Sequence, residues 1–280
     1  MAIKDILALA IRLEDDEPAL RAAGILALRF GAHATALILA VHAASNYAPE
    51  MATLSRVLED LAAGARGTAA RERSRIETWL NEVPHKFEIR DLLIETALMR
   101  REVLAHARRA DLSIVTRAAR PASDRARADL LDAVLFGSGR PVLLMPPDWR
   151  GERLFDTVVI GWDAKREAAR AVHDALPLLA LARDVVIATV DAKPSSSGHG
   201  ATPGKDLAAH LARHGVSVRV NNVDGMGRSD GRALLDCAIA VGADMLVLGA
   251  YGHGRAEQWL LGGVTRELTL NSPIPLFMSH

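Results

Sequence analysis

Short apolar runs alternate along this chain with longer stretches in which apolar positions return every three or four residues. The first run, Asp5-Ile6-Leu7-Ala8-Leu9-Ala10-Ile11, reads as a strand buried on both faces. Residues 18–30 then read as an amphipathic helix closed by Gly31. A second strand is expected over 35–42 and a long helix over 49–82, where Gly64 and Gly67 could interrupt the periodicity. A third strand follows at 86–93, a helix at 95–109, a fourth strand at 112–116, the end of another helix at 130–136 and a fifth strand at 141–145. Strand and helix alternate throughout, which is the pattern of a parallel sheet with helices on both faces.

The second half repeats the first. Asp156-Thr157-Val158-Val159-Ile160-Gly161-Trp162 falls on the Asp5 run at an offset of 151, counted from Asp5 to Asp156. Ala243-Asp244-Met245-Leu246-Val247-Leu248-Gly249 falls on the run beginning Ala110-Asp111 at an offset of 133, and the last strands, from Pro141 and Pro275, at 134. The drop of 18 between the first two offsets places a shortening inside the second unit, whose middle helix is expected at 205–214 after a Pro/Ser/Gly loop at 193–204. Pro146, Pro147 and Gly151 mark the join, so that 1–147 and 154–280 are the expected domains.

Residues 243–265, ADMLVLGAYGHGRAEQWLLGGVT, carry the sharpest motif. A buried strand ends at Gly249, Gly252 and Gly254 follow, and Gly262-Gly263 stands before Val264 and Thr265 at the start of a helix. Glycines admit a ligand close to main-chain N–H groups, and a helix amino end attracts phosphate. This spacing resembles the nucleotide loop of the universal stress protein family, and the duplicated chain resembles its tandem members. The resemblance implies two tandem doubly wound α/β domains, like those of the adenine nucleotide alpha hydrolases, each with a five-stranded parallel sheet. It also implies ATP, with or without magnesium, as the ligand. The nucleotide-binding residues it implies are Gly161, Trp162, Asp163, Val190, Gly249, Gly252, His253, Gly254, Gly262, Gly263, Val264 and Thr265. Gly263 departs from the usual Ser or Thr and removes one hydroxyl, leaving main-chain donors and that of Thr265. Asp163 is read as a partner of ribose or adenine, or else as the N-cap of a helix from Lys165 onward.

The first half lacks this loop. Thr116 stands where the second half has Gly249, Ala119 where it has Gly252, and 128–130 fall opposite the Gly262-Gly263 pair. Gly137-Ser138-Gly139 reads as a helix end and turn, and the basic cluster from Arg117 to Arg127 as an exposed loop. One competent site per chain, in the second unit, is therefore expected. A rival signal is Gly227-Arg228-Ser229-Asp230-Gly231, which has the Gly-x-Ser-x-Gly form of a hydrolase nucleophile, although Ser229 reads better as a helix N-cap. The Gly225-x-Gly227 overlap resembles part of a dinucleotide fingerprint, and His210 and His214 lie four apart on a helix with no third metal ligand in view.

Composition narrows the function further. With 34 basic and 34 acidic residues there is no bulk electrostatic reason to expect nucleic acid or an anionic membrane as partner. A single cysteine, Cys237, excludes an intrachain disulfide and suits a reducing cytoplasm. No apolar run approaches the roughly 20 residues that span a bilayer. No Walker lysine follows the glycines and no catalytic residue or metal site is assigned, so the expectation is a nucleotide-binding stress sensor rather than an enzyme; slow ATP hydrolysis or autophosphorylation stays open by resemblance. A nucleotide-free interaction scaffold and a serine hydrolase are the alternatives. By the same resemblance, the final strands of the two units would pair as an internal pseudo-dimer, with homodimers of whole chains left open.

Overall fold

The structure is a computed structural model that describes residues 2–42, 52–119, 125–151, 154–195, 199–250 and 263–280. It divides into two compact units, Lys4–Ser138 and Gly139–His280.

In the first unit the elements run β1 (Asp5–Ala10), α1 (Leu13–Phe30), β2 (His33–His42), α2 (Ala52–Glu82), β3 (Phe87–Glu95), α3 (Thr96–Ala107), β4 (Leu112–Thr116) and α4 (Arg125–Gly137). The strands are parallel in the order β3-β2-β1-β4. All of β4 and all of β1 beyond Asp5 are buried, as central parallel strands covered by helices must be. Helix α2 runs unbroken through Gly64 and Gly67, where an interruption was expected. Each interior glycine costs only about 1 kcal/mol, which the periodicity of so long a helix offsets.

Helix α1 starts five residues before the expected Pro18, at Leu13. Its first turn holds Glu14, Asp15 and Asp16, acids that suit the positive end of the helix dipole. Asp16 also reaches back to accept hydrogen bonds from the Ile11 and Arg12 amides at 2.7 and 3.0 Å, doing the work of a cap from inside the helix. The helix ends, as the sequence predicts, at a left-handed Gly31.

The second unit comprises β5 (Val142–Met145), β6 (Thr157–Gly161), α5 (Arg166–Leu179), β7 (Asp184–Val190), α6 (Lys205–Arg213), β8 (Val218–Val223), α7 (Asp230–Ala240), β9 (Met245–Gly249), α8 (Val264–Asn271) and β10 (Leu276–Ser279). Five parallel strands stand in the order β10-β9-β6-β7-β8. Beside β10 lies β5, antiparallel, with Leu144 opposite Leu276 and Val142 opposite Met278. The pairing of the two final strands expected from the sequence is thus present, and β5 packs with the second compact unit.

The duplication has a physical marker. The Asp111 carboxylate accepts hydrogen bonds from the Lys4 and Asp5 amides at 2.8 and 3.1 Å, and Asp244 does the same for Asp156 and Thr157 at 3.1 and 3.3 Å. Each aspartate opens its strand by tying it to the entry of the unit's first strand. Asp244 therefore lies far from the edge where a catalytic acid for Ser229 would be needed.

Arg127 corrects the reading of its segment as an exposed loop. It lies in the first turn of α4, only 3% exposed, and its guanidinium meets the buried carboxylate of Asp16 and, at 3.2 Å, that of Asp15. Burial pushes the Asp16 carboxyl up, while the charge and hydrogen bond of Arg127 and the two amides pull it down. Residues 120–124 of the same cluster lie outside the described residues. Replacing one partner of such a pair leaves a buried charge unmet, at a cost of about 3–5 kcal/mol. Arg127→Met is expected to lower the unfolding free energy by that amount in urea denaturation followed by circular dichroism. Arg125→Met, at a side chain 89% exposed, should change it by less than about 0.5 kcal/mol.

Candidate functional site

In each unit the strand order reverses beside the first strand, at β1/β4 and at β6/β9. Open α/β sheets bind ligands at the carboxyl ends of strands where this happens. In the second unit a cavity of about 330 Å³ lies there, large enough for a small ligand.

Eight of the twelve residues expected to bind nucleotide line this cavity: Gly161, Trp162, Asp163, Val190, Gly249, Gly263, Val264 and Thr265. The other four, Gly252, His253, Gly254 and Gly262, lie outside the described residues. Sequence reading missed Lys165, Glu167, His199 and Asp230 on the same wall. Lys165 and Glu167 flank the start of α5 and Asp230 opens α7, so all but His199 occupy positions at helix amino ends above strand ends, a cue the sequence did offer.

The glycines do different work from one another. A Cβ at Gly249 would stand 2.4 Å from the Ala168 amide nitrogen and 2.5 Å from the Glu167 carbonyl carbon. Glycine is needed there because α5 packs its backbone against the end of β9, rather than to free the φ angle for a ligand. Gly263 has an ordinary φ of −78°, and a Cβ there would meet nothing within 4 Å among the described residues. It is the N-cap of α8, and among the described residues no side chain caps that helix. The Thr265 hydroxyl donates to the Gly249 carbonyl at 3.4 Å, tying the start of α8 to the end of β9.

Polar groups at the opposite side come from the loops after β6 and β7. Asp163 is not the N-cap of α5; that place belongs to Lys165. Its Oδ1 accepts from the Lys165 amide at 3.0 Å and its Oδ2 stands 3.3 Å from Lys165 Nζ, shaping the turn before the helix while the carboxylate remains 54% exposed. Between them Ala164 is forced to φ 59°. Ala164, Asp191 and Met226 are the three non-glycine residues of positive φ among the described residues, and they follow β6, β7 and β8 in turn. Backbone strain of this kind, about 1–3 kcal/mol each, collects at functional edges. Glu167 is buried; burial is the strongest influence and pushes its carboxyl up, but hydrogen bonds from Arg166 and from its own amide, with the charges of Arg166 and His280, hold it below the ordinary range.

The first unit shows the contrast. At the offset of 151, Asp16 stands where the second unit has Glu167, and β4 ends in the buried Thr116 where β9 ends in Gly249. At the offset of 134, Val264 corresponds to Leu130, yet α4 is helical from Arg125. Its extra turn carries Arg127 inward to Asp16.

Residues 154–280 match the family model described as Universal stress protein family. This second unit belongs to the universal stress protein family. The fold is that of solved structures over nearly the whole length. A universal stress protein from Archaeoglobus fulgidus DSM 4304 superposes with a TM-score of 0.68 at 16% identity, covering 97% of this chain and 95% of that one. A functionally unknown protein from Pseudomonas aeruginosa PAO1 does so with a TM-score of 0.58 at 14% identity, covering 99% and 92%. No curated protein matches the sequence significantly.

The remaining motifs of this universal stress protein domain have structural uses. Ser229 is the N-cap of α7: its Oγ accepts from the Arg232 amide at 3.2 Å and donates to Glu267 Oε2 at 2.6 Å. Its φ of −64° is relaxed, unlike the strained turn of a nucleophile elbow. Gly225 is required by Asp191, whose Oδ2 would be 2.4 Å from a Cβ, and Asp191 Oδ1 accepts the Gly225 amide at 2.9 Å. His210 and His214 are exposed, their rings 4.8 Å apart at the end of α6. No helix among the described residues is long and apolar enough to cross a membrane.

Gly249→Ala is expected to force α5 away from β9 and to cost at least about 1–3 kcal/mol, read as a fall in the unfolding free energy in urea. Ser229→Ala should lose about 1 kcal/mol of capping and leave the hydrolysis of a p-nitrophenyl ester at the wild-type level.

Proposed function

We propose that the second unit is an ATP-binding module through which the protein senses or signals stress, and that the first unit holds no nucleotide. The observation that carries this reading is the convergence of eight residues, from strand ends and a helix start far apart in sequence, on one cavity beside the amino end of α8, which no side chain of the described residues caps. Apolar walls from Ala188, Val190, Leu234 and Leu248 suit a planar base, Asp163 offers acceptors for sugar hydroxyls, and the α8 terminus favours phosphate. In the first unit the buried Arg127–Asp16 pair supports the reading of an occupied, non-binding place.

Binding rather than turnover is the role these groups suit. Among the described residues no group of three or more His, Cys, Asp or Glu side chains could hold a metal ion, so magnesium would arrive on the phosphates. The carboxylates of Asp163, Glu167 and Asp230 in the cavity wall make a metal-neutralised polyphosphate a better guest than a bare one. Occupancy would change the conformation or partners of the second unit by mass action, stabilising it by about 2.7 kcal/mol at a hundred times Kd.

Isothermal titration calorimetry with Mg·ATP is expected to give one site per chain; absence of binding would leave the interaction scaffold as the better account. Gly263→Ser restores the hydroxyl usual in the family at a position where a Cβ meets none of the described residues and the backbone is relaxed. Affinity should rise about two- to tenfold, the worth of one hydrogen bond, and a lower affinity would show that α8 does not face the phosphates.

A further inference from the structure

We propose that Ser229 and Glu267 form a pin between α7 and α8 that sets the amino end of α8 for the phosphates of the bound nucleotide. The inference rests on reading the cavity as a nucleotide site and adds two positioning residues to it. It also gives the Gly-x-Ser-x-Gly segment a use that requires no nucleophile.

Both helices contribute to the cavity: Asp230 and Leu234 come from α7, and Val264 and Thr265 from α8. Their holds on the sheet differ. Helix α7 packs on β6, β7 and β8, whereas α8 packs chiefly on α7, so the place of α8 is gauged largely from its neighbour. Among the described residues no side chain caps α8 at Gly263, and the Thr265 hydroxyl meets the Gly249 carbonyl at 3.4 Å, long for a hydrogen bond. The contact from Glu267 is of another kind. Its Oε2 accepts the Ser229 hydroxyl at 2.6 Å, the length of a hydrogen bond to a charged acceptor.

The residues around that carboxylate are shaped to seat it. Ser229 is at the same time the N-cap of α7 and accepts the Arg232 amide at 3.2 Å. A Cβ on the buried Gly231 would stand 2.5 Å from Glu267 Oε2 and 3.2 Å from its Cδ, so the last glycine of the motif lets the carboxylate lie against the first turn of α7. Glu267 itself belongs to the first turn of α8. One negative charge thus stands at the amino ends of two helices, where both dipoles favour it. Serine suits the junction because a hydroxyl accepts from an amide and donates to a carboxylate at once. An aspartate would cap α7 equally well and repel Glu267. Main-chain donors cannot follow a ligand as a side chain can, and a shift in the start of α8 moves all of them together. Loss of the pin would therefore be felt by the phosphates and hardly by the base and sugar, which meet Asp163, Ala188 and Val190 on the side of β6 and β7.

The test measures affinities for Mg·ATP and for adenosine by calorimetry in the wild-type protein, in Ser229→Asp, and in Ser229→Asp combined with Glu267→Gln. Ser229→Asp keeps the cap and is expected to weaken Mg·ATP about tenfold, the effect of exchanging a charge-assisted hydrogen bond for a repulsion, while adenosine changes by less than about twofold. In the double variant a Gln amide can donate to the new carboxylate, which should return Mg·ATP to within about threefold of the wild-type affinity. A cap with no bearing on α8 would show neither the loss nor the rescue. An Mg·ATP affinity unchanged in Ser229→Asp, a loss shared equally by adenosine, or one that the second substitution does not relieve overturns the pin and leaves the site itself standing. A wild-type protein that binds neither ligand overturns the site, and the role of the pin with it.

Discussion

Where the Ala168 amide comes within 2.4 Å of the point a Gly249 Cβ would occupy, the first helix of the second unit is pressed against the end of β9. That approach sets the floor of the cavity, because it fixes Glu167 and Ala168 directly beside the β9 terminus. It also fixes the direction in which the chain leaves Gly249. The Thr265 hydroxyl reaches the Gly249 carbonyl, and the Ala250 amide donates to Ser279 at 2.8 Å, so the start of α8 and the end of β10 are both gauged from the same point. A single absent methyl thus lets three elements meet.

The two units show one duplicated architecture carrying different groups at the same edge. Both tie the aspartate before their fourth strand to the entry of the first, through Asp111 and Asp244, so the frame is shared. They part at the opposite edge. In the first unit an earlier start to α4 brings Arg127 against Asp16, and the guanidinium and the carboxylates of Asp15 and Asp16 satisfy one another. In the second unit Glu167 is paired only with the largely exposed Arg166 among the contacts seen, and the space beyond it stays open to ligand. Desolvating an ion pair is costly, and its presence in the first unit is accounted for by the two amides and the second acid that share the burden.

Much of this was legible along the chain. The alternation of short apolar runs with helical periodicity placed β1 to β6, β9 and β10 to within a few residues, since burial on both faces leaves a local signature that does not depend on which strands become neighbours. The repeat offsets located the shortened segment of the second unit and the loss of the glycine loop from the first. Of the residues named from the family spacing, Gly161, Trp162, Asp163, Val190 and Gly249 share one cavity because they end or follow strands, and strand ends of a parallel sheet lie on one edge; Gly263, Val264 and Thr265 join them at the start of α8.

The sequence by itself determined the order of elements, the duplication and the asymmetry between its halves, because each is written in local spacing. Tertiary structure alone decided what individual polar residues do. Arg127 looked like one more surface cation until α1 was seen to carry Asp16 beneath it, and Gly249 looked like a ligand-facing hinge until α5 was found against it. His199 sat in a Pro/Ser/Gly stretch with the composition of a linker, yet the Ser195–Gly200 bridge turns it into the cavity wall. Burial of a charge, the need for a glycine and the reach of a loop all depend on segments distant in sequence, and no local pattern encodes them.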